Sequence, residues 1–249
     1  MFSLEIACHP DDRDFLIAEL WENGCEGIVE LTPDSLRAFF DDSAPRRTLR
    51  ERYPGARERQ EEPRDWVATA RGMLQPIAVG RRFFLVPEWR DDPAPAGRFR
   101  LAVNPGMAFG TGFHESTQLC IEALEDFVRP GCAVLDVGTG SGILARVASL
   151  LGAGRVVACD VDPEAVRIAG FGFVGSVDSV ASAAADVVVA NINPETIAAF
   201  AAHLLRVRKP GGTLLLSGIE SHELDALLAA LPVAPREIRR KLDWVLLVV

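Results

Sequence analysis

From residue 99 onward, short apolar runs alternate with segments of helical spacing, and this alternation restricts the chain to a small set of folds. The runs are FRLAVN, AVLDVG, RVVACDV, DVVVAN, TLLLSGI and WVLLVV. Several are apolar at nearly every position, as expected of strands covered on both faces. Between them lie STQLCIEALEDFV, ILARVASLLG, PEAVRIAG, PETIAAFAAHLLRVRKPG and ELDALLAAL, which carry apolar residues at helical spacing. Strand–helix alternation predicts an α/β fold: a mostly parallel sheet with helices on both faces. Ligands of such sheets sit beyond the C-terminal strand ends, near the point where strand order reverses.

The first ninety residues read differently. SLEIAC and GIVEL predict strands. DDRDFLIAELWENG predicts a helix, capped by Asp11 or Asp12, with Phe15, Ile17, Leu20 and Trp21 on its apolar side and Gly24 at its end. SLRAFFDD and SAPRRTLRERYPG carry no clear period. DWVATARGML has helical spacing, RRFFLVPEW predicts a strand ended by proline, and DDPAPAGR reads as a surface turn or linker. The expected organisation is a small α+β domain over 1–62, a linker region over 63–98 and the large α/β domain over 99–249.

The net charge of −9 weighs against a protein that grips nucleic acid through its phosphates. The main basic cluster, Arg46, Arg47, Arg50 and Arg52, is diluted by Asp41, Asp42 and Glu51. An acidic chain suits a basic partner or no macromolecule, so no direct nucleic-acid contact is expected. The five cysteines, Cys8, Cys25, Cys120, Cys132 and Cys159, form no CxxC pair, and His9, His114, His203 and His222 form no ligand-like group. Neither a disulfide framework nor a metal site is expected. The opening MFSLEIACHPDD lacks a basic n-region, and no apolar run reaches the roughly 20 residues that span a bilayer. The expected location is the cytoplasm, away from membranes. No oligomeric state follows from the sequence.

The richest segment for function is VLDVGTGSGILA. An apolar strand ending near Val137 runs into Gly138-Thr139-Gly140-Ser141-Gly142, and a helix begins near Ile143. Glycines there allow a tight turn and close approach of a ligand to the backbone. The dinucleotide fingerprint needs a glycine at its sixth position, which here is Ile143, and no Gly-Lys-Ser/Thr follows for a phosphate-binding P-loop. The remaining pattern, Asp136-x-Gly-x-Gly-x-Gly, resembles motif I of the class I methyltransferases, whose loop wraps the methionine part of S-adenosylmethionine. Asp136 and the loop amides suit that cofactor's ammonium and carboxylate groups. Asp160 falls at the end of the next strand, where an acidic residue can accept from both ribose hydroxyls. Asp162 is better placed to cap the helix that begins at Pro163.

Around this loop stand NPGMAFGTGFHESTQLCIEAL upstream, and DVVVANINPETI and LLRVRKPGGTLLLSGI downstream. In this order and spacing they resemble the ribosomal protein L-11 methyltransferase family, the PrmA type, from about Asp65 to the C-terminus. The AFGTGFHESTQLC run is the most specific element; DVGTGSG and KPGG alone indicate only a class I methyltransferase. The resemblance implies a Rossmann-like catalytic domain that uses S-adenosylmethionine and a small ferredoxin-like N-terminal domain that holds a protein substrate. It implies methylation of amino groups, lysine side chains and an N-terminal amine, on a ribosomal protein. Carried over by position, it implies cofactor contacts at Thr117, Gly138, Asp160 and Asn191, with Thr139, Gly140 and Val161 lining the same pocket. Asn191, after the fourth strand and facing the expected methyl group, is the candidate catalytic residue, its side-chain or adjacent backbone carbonyl holding the incoming N–H. AFGTGF, residues 108 to 113, reads as a lid with two glycines and two phenylalanines. The competing readings are a methyltransferase of this fold acting on another protein's lysines or on a small amine, a nicotinamide-dependent oxidoreductase, and a binding protein without activity. The missing sixth-position glycine counts against the oxidoreductase; Gly138, Asp160 and Asn191 count against the inactive protein.

Overall fold

A computed structural model describes residues 1–9, 13–32, 34–61, 74–104 and 112–249, less the side chains of residues 14, 15, 18 and 22. The chain divides into two compact units, Met1–Leu74 and Gln75–Val249.

The first unit runs β1 (Phe2–Ala7), α1 (Arg13–Glu22), β2 (Cys25–Thr32), β3 (Ser35–Phe40), α2 (Arg46–Arg52) and β4 (Arg57–Gln60). Its sheet has the order β2-β3-β1-β4, antiparallel throughout. This βαββαβ order is the ferredoxin-like arrangement. Alternate residues of β1 and β3 (Phe2, Leu4, Ile6, Leu36, Ala38, Phe40) pack with Leu16, Leu20 and Leu49 from the helices. Their period of two buries one face against the helices and fixes the register. β4, RERQ, carries no strand signal because nothing in it is apolar; it is held by its ladder to β1. Three expectations lie outside the described residues: the Asp11 or Asp12 cap, the Phe15 side chain, and all but the last residue of the DWVATARGML helix.

The second unit opens with β5 (Ile77–Val79), β6 (Phe83–Pro87) and β7 (Phe99–Val103), which form a separate three-stranded sheet. This corrects one expectation. FRLAVN does not join the large sheet; it pairs parallel to β6, and the Phe83 and Phe99 rings lie 5.7 Å apart. DDPAPAGR is the connection between these two strands.

The large sheet is built from β8 (Ala133–Val137), β9 (Arg155–Asp160), β10 (Phe173–Val174), β11 (Ala185–Asn191), β12 (Arg208–Glu220), β13 (Glu237–Lys241) and β14 (Trp244–Val248). Its order is β10-β9-β8-β11-β12-β14-β13. The first five are parallel; β14 runs antiparallel to both its neighbours, β12 and β13. Strand order reverses between β8 and β11. The helices are α3 (Glu115–Phe127), α4 (Ile143–Leu150), α5 (Pro163–Ala169), α6 (Pro194–Val207) and α7 (Leu224–Ala230).

Both faces of this sheet are buried, as the continuous apolar runs predict. Val187, Val189, Leu215, Leu246 and Val248 pack with α3 and α4. Their neighbours Val188, Ala190, Leu214, Leu216, Val245 and Leu247 pack with α6 and α7 on the other side. Strand side chains alternate faces, so a run apolar at every position feeds two cores. The helix expected over PETIAAFAAHLLRVRKPG stops at Val207, and Arg208 to Gly212 begin β12. Pro210 has no amide hydrogen for a helix ladder, and Gly211 takes a φ of +75°. The stretch after Asp160 is compact: α5 has seven residues and β10 two.

Candidate functional site

The glycine loop leaves β8 at the reversal of strand order. Gly138, Gly140 and Gly142 have φ of +70°, +51° and +77°, a region that residues with a Cβ rarely adopt. A Cβ on Gly138 would collide with the Ile192 side chain, and one on Gly142 would lie 2.9 Å from the Ala169 Cβ. The amides of Gly138 and Thr139 both donate to the Cys159 carbonyl, at 2.9 and 3.1 Å, which draws the loop across the end of β9.

Asp136 and Asp160 hold the two ends of this loop. The Asp136 side chain is fully buried. Its Oδ2 accepts from the Thr139 hydroxyl at 2.7 Å and the Ala145 amide at 3.2 Å, while Oδ1 has no partner among the described residues. Burial pushes its carboxyl up to about 6, against the pull of those two donors, and the neighbouring Asp160 carboxylate adds to the rise. Asp160 ends β9. Its Oδ2 accepts from the Gly140 amide at 2.9 Å and its Oδ1 from the Asp162 amide at 3.0 Å. An ionised carboxylate has about four acceptor positions, so two remain. Asp162 caps α5 through the Glu164 amide, as its place before Pro163 predicts. Val161, next to Asp160, is 74% exposed.

Asn191 ends β11 on the other side of the reversal, pairing in register with Ser217 of β12. Its Nδ2 donates to the Thr117 hydroxyl at 3.2 Å. Thr117 lies in the first turn of α3 and is 1% exposed. The Asn193-Pro194 pair has a local role: Asn193 caps α6 by accepting from the Thr196 amide at 2.8 Å, and Pro194 takes the first helical position.

Two groups of residue contacts went unnoticed in the sequence. Ile192 is clasped from both sides, because a Cβ on Gly138 would meet its side chain and a Cβ on Gly218 would meet its carbonyl oxygen. Its amide donates to the Ser217 carbonyl at 3.1 Å. The glycines that clasp it stand 54 and 26 residues away, with no local signal to connect them. The second group lies at the start of α3. His114 accepts from the Ser116 amide as the helix cap, and its ring meets Trp244 edge-on at 4.4 Å. Of the expected lid, residues 108 to 111 lie outside the described residues; Phe113 packs against the α3–α4 core. Among the described residues no group of His, Cys, Asp and Glu side chains is arranged to hold a metal.

Thus Gly138, Thr139, Gly140, Asp160 and Val161 gather at the ends of β8 and β9, with Asn191 and Thr117 on the other side of the reversal. A sheet of this order, ending in this loop, defines the Rossmann-like class I methyltransferase fold. The family described as ribosomal protein L11 methyltransferase (PrmA) matches residues 52–249. The ribosomal protein L11 methyltransferase of Pelotomaculum thermopropionicum is 43% identical over 182 residues, covering 68% of this chain and 59% of that protein. The one from Burkholderia multivorans is 38% identical over 210 residues, covering 81% and 70%. Among solved structures, ribosomal protein L11 methylase from Lactobacillus delbrueckii subsp. bulgaricus is 31% identical with a TM-score of 0.62, covering 70% of this chain and 97% of that one. The chain belongs to the ribosomal protein L11 methyltransferase family. It spans about three fifths of the length of the Pelotomaculum relative.

Proposed function

We propose that this chain is an S-adenosylmethionine-dependent N-methyltransferase that methylates amino groups, lysine side chains or an N-terminal amine, of a ribosomal protein of the L11 type. The observation that carries the reading is the meeting of the Gly138–Gly142 loop, Asp160 and Asn191 at one point of strand reversal, in a chain of this family.

The donor set suits the cofactor. The loop places glycine backbone where a ligand's methionine end can approach closely. Beneath it, one Asp136 carboxyl oxygen has no partner among the described residues. Asp160 retains acceptor positions for two ribose hydroxyls, and exposed Val161 beside it offers an apolar surface to the purine. Gly138, Thr139 and Gly140 would therefore hold the methionine end, with Asp160 and Val161 at the nucleoside. Thr117 and Asn191, joined by their side-chain hydrogen bond, would hold the cofactor from the other side of the reversal. When bound, S-adenosylmethionine supplies an electrophilic methyl group.

The chain's own work is positioning. Correct placement of two reacting groups is worth about 7–11 kcal/mol at its upper limit. The accepting amine must be uncharged, against a reference value of about 10.4 for lysine, so the site has to favour the neutral form by excluding water. The Asn191 side-chain oxygen accepts the amine's N–H and turns its lone pair toward the methyl carbon. Residues 1–62 form the substrate-recognition domain and 99–249 the methyl-transfer domain. The charge of the first unit fits a basic protein partner: residues 1–74 carry ten Arg and Lys against sixteen Asp and Glu. The reaction belongs in the cytoplasm, where ribosomal proteins are found.

The test is transfer of a labelled methyl group from S-adenosylmethionine to purified ribosomal proteins. Label on one small ribosomal protein, lost by at least tenfold in Asn191→Ala, is the expected result. Equal labelling by that variant would remove Asn191 from the mechanism. Labelling of other proteins or small amines alone would remove the ribosomal substrate and leave the chemistry.

A further inference from the structure

Ile192 follows Asn191 and stands between the two halves of the site. Its Cγ2 methyl lies against the bare α-carbon of Gly138, where any Cβ would collide with it. Its carbonyl oxygen lies against Gly218 in the same way, and its amide donates to the Ser217 carbonyl at 3.1 Å. Asn193, next along the chain, caps α6 through the Thr196 amide. The Ile192 backbone is therefore held by β12 on one side and by the start of a helix on the other. The glycine loop is held from the opposite direction, because the Gly138 and Thr139 amides donate to the Cys159 carbonyl of β9. Hydrogen bonds draw the loop toward β9, and a methyl group backs it on the side of β11.

We infer that Ile192 is a positioning residue for methyl transfer: its Cγ2 methyl, packed on Gly138, sets the spacing between the cofactor loop and Asn191. The inference rests on the methyltransferase reading above. In that reading the loop carries the methionine end of S-adenosylmethionine, and Asn191 holds the amine that receives the methyl group. Transfer needs the reacting atoms about 3–3.5 Å apart, and a misplacement of about 1 Å costs on the order of a hundredfold in rate. The Ile192 side chain bridges the two parts whose separation matters. Its type suits the task. Two carbons on Cβ leave little freedom at χ1, so Cγ2 stays where the backbone puts it. The side chain also packs against the core shared with α6 and α7, which resists its retreat from the loop. Gly138 has no Cβ, and only a bare α-carbon admits the methyl at this depth.

The experiment compares Ile192→Val, which keeps Cγ2 and loses only the terminal methyl, with Ile192→Leu, which keeps every carbon but has no Cγ2. A side chain that merely fills apolar volume tolerates leucine, which conserves that volume, at least as well as valine. A spacer acting through Cγ2 gives the reverse order in kcat. The first readout needs no turnover. Selective 13C labelling of isoleucine Cγ2 methyl groups in the parent chain should give a cross-peak between Ile192 and the α-protons of Gly138, assigned by its loss in Ile192→Val. The second readout is kinetic. In Ile192→Val, kcat should stay within about threefold of the parent, and in Ile192→Leu it should fall roughly tenfold or more. Calorimetric Kd values for S-adenosylhomocysteine should stay within about threefold in both variants, since the loop's hydrogen bonds and Asp160 are untouched. Absence of the cross-peak overturns the inference even where a variant fails to fold. Equal kcat in the two variants, or a loss confined to Kd, also overturns it. If the cross-peak is present and S-adenosylhomocysteine binds, but the parent chain transfers no methyl to any acceptor, the methyltransferase reading has failed while the contact stands. That result too overturns the catalytic part of the inference.

Discussion

Asp136 is the residue on which the glycine loop turns. A carboxyl buried so completely is held in its neutral form by burial, up to about 6 against an ordinary 3.8. A raised value stabilises the folded state when the proton is on. That contribution is complete below about pH 4 and is lost as pH rises through 6. Keeping the ionised form folded at neutral pH then costs about 3 kcal/mol at 1.36 kcal/mol per unit. Asp136→Asn keeps the acceptor for Thr139 and carries no charge. Without added cofactor, it should match or exceed the parent's stability at pH 8, and the gap should shrink toward zero as pH falls to 4. Urea unfolding across this range checks the sign; a gap that widens on acidification would contradict it. At this scale the sequence was informative about the loop, since three glycines and an aspartate leave few backbone choices. Asn191 with Thr117 was not legible from spacing. Their contact is made by packing, and only the family resemblance pointed to both residues. The Ile192 clasp escaped both routes.

At the scale of elements, patterning decided what could be read. The helices over 115–127, 143–150, 163–169 and 224–230 follow apolar periodicity and their caps, including Asp162 and Gly170 at the two ends of α5. Strands with continuous apolar runs were equally clear. Most of the missed strands are short or polar: two residues in β10, three in β5, RERQ in β4 and EIRRK in β13; SLRAFF in β3 was left unassigned although it is mostly apolar. β13 sits at the edge of the large sheet, where charged side chains discourage pairing with another chain, so its composition hides it. The joint between α3 and the β5–β6 turn was equally silent. Glu125, buried in α3, accepts from the Arg81 amide at 2.8 Å and the Arg82 amide at 2.7 Å, and Gly80 leaves room for it. Hydrogen bonds to a charged group are worth about 1.5–3 kcal/mol each. Glu125→Ala should lower stability by roughly 3 kcal/mol and Tm by about 6–12 °C, since a chain this size loses a few degrees per kcal/mol. Calorimetry that finds a shift below about 2 °C would show that this joint carries little.

At the scale of the whole molecule, the chain forms two compact units of different character. The second unit presents its loop, Asp160 and Asn191 at the strand ends of a sheet buried on both faces, so the site rests on rigid elements. The first unit is a four-stranded ferredoxin-like sheet that carries most of the net negative charge. The alternation after residue 99 and the α+β character before it were both legible, because each follows from hydrophobic period. The boundary between them was less so: the strands over RRFFLVPEW and FRLAVN were legible, but not that they pair with each other in a small sheet inside the second unit instead of lying in a linker and in the large sheet. The proposed activity is transfer of methyl groups onto amino groups of a ribosomal protein. Mass spectrometry of ribosomal proteins after incubation with the chain and S-adenosylmethionine tests it most directly. The predicted result is a mass gain of whole methyl groups on one ribosomal protein, mapped by fragmentation to lysine side chains or the N-terminal amine. Unchanged masses across all ribosomal proteins, in a sample shown to bind the cofactor, would contradict it.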